Sequence, residues 1–241
     1  MPMYGHRARI GYTSPPAATE VFPYEFYKVV PDGVTLVLHT LPLVERNSEE
    51  VDRSYEASLR AAHVMARAKV DILCFGGLPI NVSRGFANVD DLIAETEKEV
   101  GIPITTSFSA QREAFKVLGG RKAGVVHPYD ESHDERHLEY IREFGLEAAG
   151  CTRHYAKFVE LGLVPEEKAV QLGRDLKRKY PDIDTIYYSC PHYAMIGAID
   201  TLERELGVTV IQPLQSIVWQ TLRRCGVDDR IEGYGRLLRD F

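Results

Sequence analysis

Little in this sequence is of the kind that marks a nucleic-acid binder, a membrane protein or a metalloprotein. Lys and Arg number 29 of 241 residues against 35 Asp and Glu, a formal net charge of −6. Binders of polyanions carry a basic surplus or stripe. The longest basic cluster here, Lys177-Arg178-Lys179, closes a helix-like stretch, where positive charge complements a helix C-terminus. No apolar run approaches the length of a membrane helix. The segment 1–12 has early basic residues but no apolar core, so no secretory signal is expected and the protein is expected in the cytoplasm. The four cysteines, Cys74, Cys151, Cys190 and Cys225, show neither CxxC nor metal-ligand spacing, and free thiols are expected. GxGxxG, GxxxxGK[ST] and GxSxG are all missing, which removes the signals for a dinucleotide, a nucleoside triphosphate and a serine nucleophile.

What is present is an ordinary globular composition, 44% hydrophobic and 27% charged, in a chain long enough to bury a core without staples. Short apolar runs alternate with amphipathic stretches throughout. Strands are predicted over 9–12, 34–39, 70–75, 103–106, 123–126, 147–151, 183–188 and 209–211. Helices are predicted over 48–69, 89–100, 110–118, 131–144, 165–180, 193–206 and 216–224. This alternation predicts an α/β fold with parallel sheets covered on both faces.

A weak repeat runs through it. Asp71 to Gly77 and Asp184 to Cys190 share an Asp, a buried strand and a turn, 113 positions apart. Each leads through a helix into a Gly-hydrophobic-x-hydrophobic step, Gly101-Ile-Pro-Ile and Gly207-Val-Thr-Val.

Ligands of open parallel sheets bind outside the carboxyl ends of strands. That rule selects the loops Thr13-Ser-Pro-Pro16, Gly76-Gly-Leu-Pro79, His127-Pro-Tyr-Asp130 and Ser189-Cys-Pro-His192. Cys190 stands out. A cysteine between a buried strand and a helix start has amides and a positive helix end near its sulfur, which favours acid/base or nucleophilic work. The alternative is a small buried hydrophobe. His192 is placed to donate to the sulfur or to a carboxylate. Cys74 reads as core, and Cys151 and Cys225 as unactivated. His133 and His137, spaced i, i+4, read as part of a solvated helix face without a third ligand, so no metal is expected.

At these residues the chain resembles the aspartate/glutamate racemase superfamily, in its arylmalonate decarboxylase and maleate isomerase branch. The motifs are Arg9-Ile-Gly-Tyr-Thr-Ser-Pro-Pro-Ala17, Gly101-Ile-Pro-Ile-Thr-Thr106, Tyr129 with Asp134-Glu-Arg136, Tyr188-Ser-Cys190, and Ser216 with Trp219, in family order across nearly the whole chain.

The resemblance implies two similar Rossmann-like parallel-sheet halves related by a pseudo-twofold axis, with the active site in the cleft between them. Residues 1–112 plus 214–241 would form one half and 113–213 the other. The two-thiol racemases carry a cysteine at each of two equivalent strand ends; here the first position is Gly77 and only Cys190 is a thiol. That pattern resembles the decarboxylases and implies a cofactor-independent lyase acting on a small malonate-type carboxylic acid.

Carried over, Cys190 would protonate an enediolate and Tyr129 would donate to its carboxylate. The amides of Gly77 or Leu78 would help, and Ser14 and Pro15 would shape the pocket. Where the family's decarboxylases have two hydroxyl residues after the glycine, this chain has Leu78-Pro79, and where they have a small glycine after the cysteine it has Pro191-His192. A rearranged anion site is therefore expected, with His192, Asn81 or Ser14 supplying donors and a substrate other than an arylmalonate. The alternatives are an isomerase or racemase of a small carboxylic acid, and a non-catalytic carboxylate-binding protein. No cofactor and no nucleic-acid or membrane partner is implied; a homo-oligomer is compatible with the resemblance.

Overall fold

Strands buried on both faces of a parallel sheet need continuous apolar runs, and Ile72–Phe75 and Thr185–Tyr188 are such runs, buried at every position. In a computed structural model, which describes residues 4–241, they are equivalent strands of two units. The first three residues of the 1–12 segment lie outside the described residues. One unit is Met1–Ala110 with Ile217–Asp229; the other is Gln111–Ser216 with Arg230–Phe241.

The first unit runs β1 (Ala8–Pro16), α1 (Val21–Val29), β2 (Val34–Leu43), α2 (Ser48–Arg67), β3 (Ile72–Phe75), α3 (Leu78–Asn81), α4 (Val89–Val100) and β4 (Ile104–Thr106). Its sheet is parallel, in the order β2-β1-β3-β4. The start of α2 is set by Asn47, whose side chain accepts from Glu50 N at 2.9 Å, with Glu49 and Glu50 in the positive first turn. The helix buries Ser54, Ser58, Ala61, Ala62 and Met65, so its closest face is made of small residues. Ala62 and Met65 pack with Val70, Leu73, Phe75 and Ile104 in one apolar cluster.

Helix α5 (Ser107–Leu118) carries the chain into the second unit. There follow β5 (Lys122–His127), α6 (Asp134–Glu143), β6 (Glu147–Arg153), α7 (Glu166–Lys179), β7 (Thr185–Tyr188), α8 (Ile199–Leu206) and β8 (Thr209–Ile211). The sheet is again parallel, ordered β6-β5-β7-β8. Helices α9 (Pro213–Arg224) and α10 (Arg236–Asp240) complete the chain. Close approach sets the packing of α7: a Cβ at Gly173 would lie 2.2 Å from Tyr188 Oη, and one at Gly124 2.8 Å from Leu176 Cδ2. No described helix is long and apolar enough to cross a membrane.

The repeated aspartate has a structural cause. Asp71 Oδ2 accepts from Arg9 N at 2.7 Å, at the entry to β1. Asp184 Oδ1 accepts from Arg121 N at 3.0 Å and Lys122 N at 3.2 Å, at the entry to β5. A second pair matches it: Glu97 Oε1 accepts from Ile104 N at 2.8 Å, and Glu203 Oε1 from Val210 N at 3.1 Å. In each unit, then, carboxylates accept from amides at the starts of strands.

Burial alone would raise the Asp184 pKa, but the amides of Arg121 and Lys122 outweigh it and hold it below the ordinary value. A lowered carboxylate stabilises the fold above its unfolded pKa, and the contribution is lost as pH falls through the folded pKa. Asp184→Ala is expected to destabilise by about 1 kcal/mol, a figure trimmed for solvent screening of a side chain a third exposed. The difference from wild type should shrink in denaturant melts taken below about pH 4.

Three expectations change. Strand β1 runs on to Pro16, so Ser14 and Pro15 belong to a strand and not to a loop; Ser14 pairs with Thr40 and Pro16 with Leu43, with a register shift between them. Pro15 has no N–H to give the ladder, and a bulge accommodates that. Helix α8 starts at Ile199 and not at 193, because Tyr193 N closes a turn onto Cys190 O and a short 3₁₀ turn, Ile196–Ala198, intervenes.

The tail 214–241 does not go to one unit as a block. From Arg230 onward it groups with the second. Arg236 N donates to Glu203 Oε2 at 2.8 Å, Arg239 pairs with Asp200 at 3.0 Å, and Gln215 Nε2 donates to Tyr234 O at 2.8 Å. Helices α1, α3 and α10 were not anticipated by the periodicity, being short or interrupted by proline.

Candidate active site

Each unit places two loops side by side at the carboxyl ends of its central strands. In the first, Thr13 pairs with Phe75, so Ser14 to Pro16 lies next to the turn Gly76 to Leu78. Gly76 N donates to both Thr13 O and Thr13 Oγ1, each at 3.1 Å. Gly77 has φ +80, and a Cβ there would meet Pro15 Cγ at 2.7 Å, so the chain needs glycine on both counts. The amides of Ile80 and Asn81 turn back onto Gly77 O at 2.9 and 3.0 Å, and Pro79 has no N–H. The loop's remaining donors are the amides of Gly77 and Leu78. Ser14 is fully buried, and its Oγ has no hydrogen-bond partner among the described residues.

Asn81 is engaged elsewhere. Its Nδ2 donates to Phe75 O at 3.1 Å and Gly76 O at 3.4 Å, and its Oδ1 accepts from Phe108 N at 3.3 Å. It braces the turn that holds Gly77 and does not present its amide to an anion.

In the second unit Val126 pairs with Tyr188, which sets the Tyr129 loop beside the Cys190 loop. Cys190 is 1% exposed, Pro191 is buried, and the Cys190 carbonyl accepts from Gln212 Nε2 at 3.4 Å. The expected helix start near the sulfur is absent, since α8 begins nine residues on. Aromatic hydroxyls lie in its field instead: burial first, and then Cys190, pushes the Tyr193 hydroxyl above its usual range, and Tyr187 shows the same causes among others. Tyr193 is buried with its Oη lacking a partner among the described residues, so a protonated hydroxyl donor stands in the vicinity of the sulfur. Nothing in the periodicity pointed to it, because residue 193 read as a helix start.

His192 is buried against the edge of Phe158, and burial pushes its imidazole down to about 3. It is neutral at physiological pH and acts as a single N–H donor at most. Tyr129 is buried, with its ring among His127, His133 and His137.

The histidine reading also changes. His137 is 3% exposed and its ring stacks 4.4 Å from that of His127, the planes parallel to within 9°, so that side of α6 is core rather than solvated face. Cys151 is not isolated either. Among the described residues His127, Asp134 and Cys151 bring one ligand-type atom each within 4.8 Å of the others. Burial pushes the Cys151 thiol up to about 12. Cys74 is buried in β3, as expected of core, and all four cysteines are free.

Two equivalently wired parallel units, with a cysteine at the end of the third strand of one, define an enzyme of the aspartate/glutamate racemase superfamily. Arylmalonate decarboxylase of Bordetella bronchiseptica is 27% identical over 95% of both chains. Maleate isomerase of Alcaligenes faecalis is 24% identical over 80% of this chain and 78% of its own. A crystal structure of a liganded arylmalonate decarboxylase mutant superposes with a TM-score of 0.86 at 25% identity, covering 95% of this chain and 98% of that one. The arylmalonate decarboxylase family model matches residues 10–238, and the chain belongs to that family.

Proposed function

We propose that this enzyme is a cofactor-independent decarboxylase of a small malonate-type carboxylic acid, with Cys190 as its single proton donor. The observation that carries the reading is an asymmetry in the repeat. Two residues past β3 stands Gly77, and two residues past β7 stands Cys190. Exchange of an α-proton between two faces by thiols needs sulfur at both positions. Decarboxylation needs one donor, because loss of CO₂ itself generates the carbanion.

In the proposed reaction the bond between the α-carbon and one carboxylate breaks. Its electron pair passes into the enediolate of the other carboxylate, and CO₂ leaves. The Cys190 S–H then gives its proton to the carbon, and solvent reprotonates the thiolate. The Tyr129 hydroxyl and the amides of Gly77 and Leu78 are the donors proposed for the enediolate, where charge grows most in the transition state. Ser14, a buried hydroxyl with no partner among the described residues, and Tyr193 are proposed to replace the hydroxyl pair absent at Leu78-Pro79. Pro15, Pro191 and the neutral His192 line the proposed pocket, and low polarity around the departing carboxylate favours its loss.

Maleate isomerases among the relatives favour a second reading, in which Cys190 adds to or deprotonates a carbon and Tyr129 or His192 serves the other face. Incubation in D₂O with a series of alkyl- and arylmalonates and with maleate separates them. One deuterium incorporated per CO₂ released supports decarboxylation. Conversion of maleate, or α-hydrogen exchange without CO₂, overturns it in favour of the second.

A further inference from the structure

At the carboxyl end of β5, residues from three elements form one chain of hydrogen bonds. Arg153 Nη1, on β6, donates to Asp134 Oδ2 at 2.8 Å. Asp134 Oδ1, at the start of α6, lies 2.9 Å from His127 Nε2. Tyr129 N donates to His127 Nδ1 at 3.3 Å. The partners settle the proton positions. A backbone amide only donates and a carboxylate accepts, so Nδ1 carries the lone pair and Nε2 the hydrogen. His127 is completely buried, and its ring is stacked against those of His137 and Tyr129.

We propose that Arg153, Asp134 and His127 are positioning residues for Tyr129: Asp134 fixes the His127 tautomer, and Nδ1 then holds the Tyr129 amide so that its side chain stays aimed at the substrate carboxylate. The aiming rests on the role given to Tyr129 above; the hydrogen-bond chain does not. His127 and Asp134 together with Cys151 have the donor set of a divalent cation site. Arg153 already supplies the counter-charge to Asp134 and has Glu131 Oε2 at 3.0 Å on its other side, so the hydrogen-bond chain is the reading favoured.

A pH signature follows. Burial lowers the His127 pKa; the hydrogen bond and charge of Asp134 oppose this, while Arg153 and His133 reinforce it. His137 on α6 and the neutral Cys151 thiol on β6 also pack around the ring. Protonated His127 would turn an N–H toward the Tyr129 N–H. Activity should therefore be present while the ring is neutral and fall as pH drops through the folded pKa of His127.

The test uses the full chain with alkyl- and arylmalonates and maleate as probes. Long-range ¹H–¹⁵N spectra should report His127 as the neutral Nε2–H tautomer, with slow exchange of the Tyr129 amide. His127→Phe, which keeps an aromatic ring and loses the acceptor, should speed that exchange and lower kcat/KM about 10- to 100-fold, mostly through kcat. His127→Asn, with a non-titrating oxygen near the Nδ1 position, should restore most of the loss and abolish the acid limb. Arg153→Met should move both readouts in the direction of His127→Phe while leaving the buried ring in place.

An Nδ1–H tautomer, unchanged Tyr129 exchange in both His127→Phe and Arg153→Met, or one zinc bound per chain and lost in Cys151→Ser would overturn the relay. Full kcat/KM in Tyr129→Phe would instead overturn the role given to Tyr129, and the aiming with it, whatever the spectra report.

Discussion

Cys190→Ala is expected to lower kcat for decarboxylation by about 10²- to 10⁴-fold, the usual worth of a positioned general acid. The loss should appear in kcat and kcat/KM together, because protonation of the carbanion occurs after the substrate is bound. Any residual CO₂ release should give product with the stereochemical bias removed, since water can reach a carbanion from either side and a single sulfur cannot. Cys190 is buried, and alanine removes one sulfur without adding a polar group, so the melting temperature should move little beside the activity. Chiral analysis of the product beside steady-state kinetics checks both halves. Undiminished kcat would remove the mechanism.

The largest expected effect on stability is at Gly76. A Cβ there would lie 2.1 Å from Thr13 O and 2.7 Å from the Tyr12 ring. The first contact is with backbone, in the middle of a buried sheet, and Gly76 N donates to that same carbonyl. Neither partner can move without parting β1 from the turn after β3. Gly76→Ala is expected to destabilise by on the order of 3 kcal/mol, at the upper end for overpacking. For a chain of this size that lowers Tm by roughly 6–12 °C, measurable by calorimetry. Gly77→Ala, with a positive φ but only the side chains of Pro15 and Ile80 in its way, should fall below it. A Gly76→Ala melt within 1 °C of wild type would mean that the turn is laxer than its geometry requires.

How much was legible depended on how local the cause was. Helix α4 (Val89–Val100) and strand β8 (Thr209–Ile211) fall where the sequence pattern placed them, because a repeating apolar face closed by Gly101 and a short apolar run entered through Gly207 are local signals. Cys190 and Gly77 were marked by their offset from buried runs. Asn81 reads from the sequence as an anion donor, because a polar residue after a glycine turn offers no hint that Phe108, 27 positions away, engages its oxygen. The sequence places His192 as a donor to the sulfur or to a carboxylate, but its charge state is not legible there: burial, which keeps it neutral, is contributed by residues distant in sequence.

By itself, the order of residues determined two α/β repeats, their strand ends and the presence of a single thiol at those ends, since these follow from periodicity and spacing. Folding alone decided which polar groups were left available. It drew Asn81 into the turn, set Tyr193 beside Cys190, split the C-terminal tail at Asp229, and joined Arg153, Asp134 and His127 into one chain of bonds. Hydrogen-bond satisfaction and burial are properties of neighbours in space, and adjacent strands bring together residues that the chain keeps tens of positions apart.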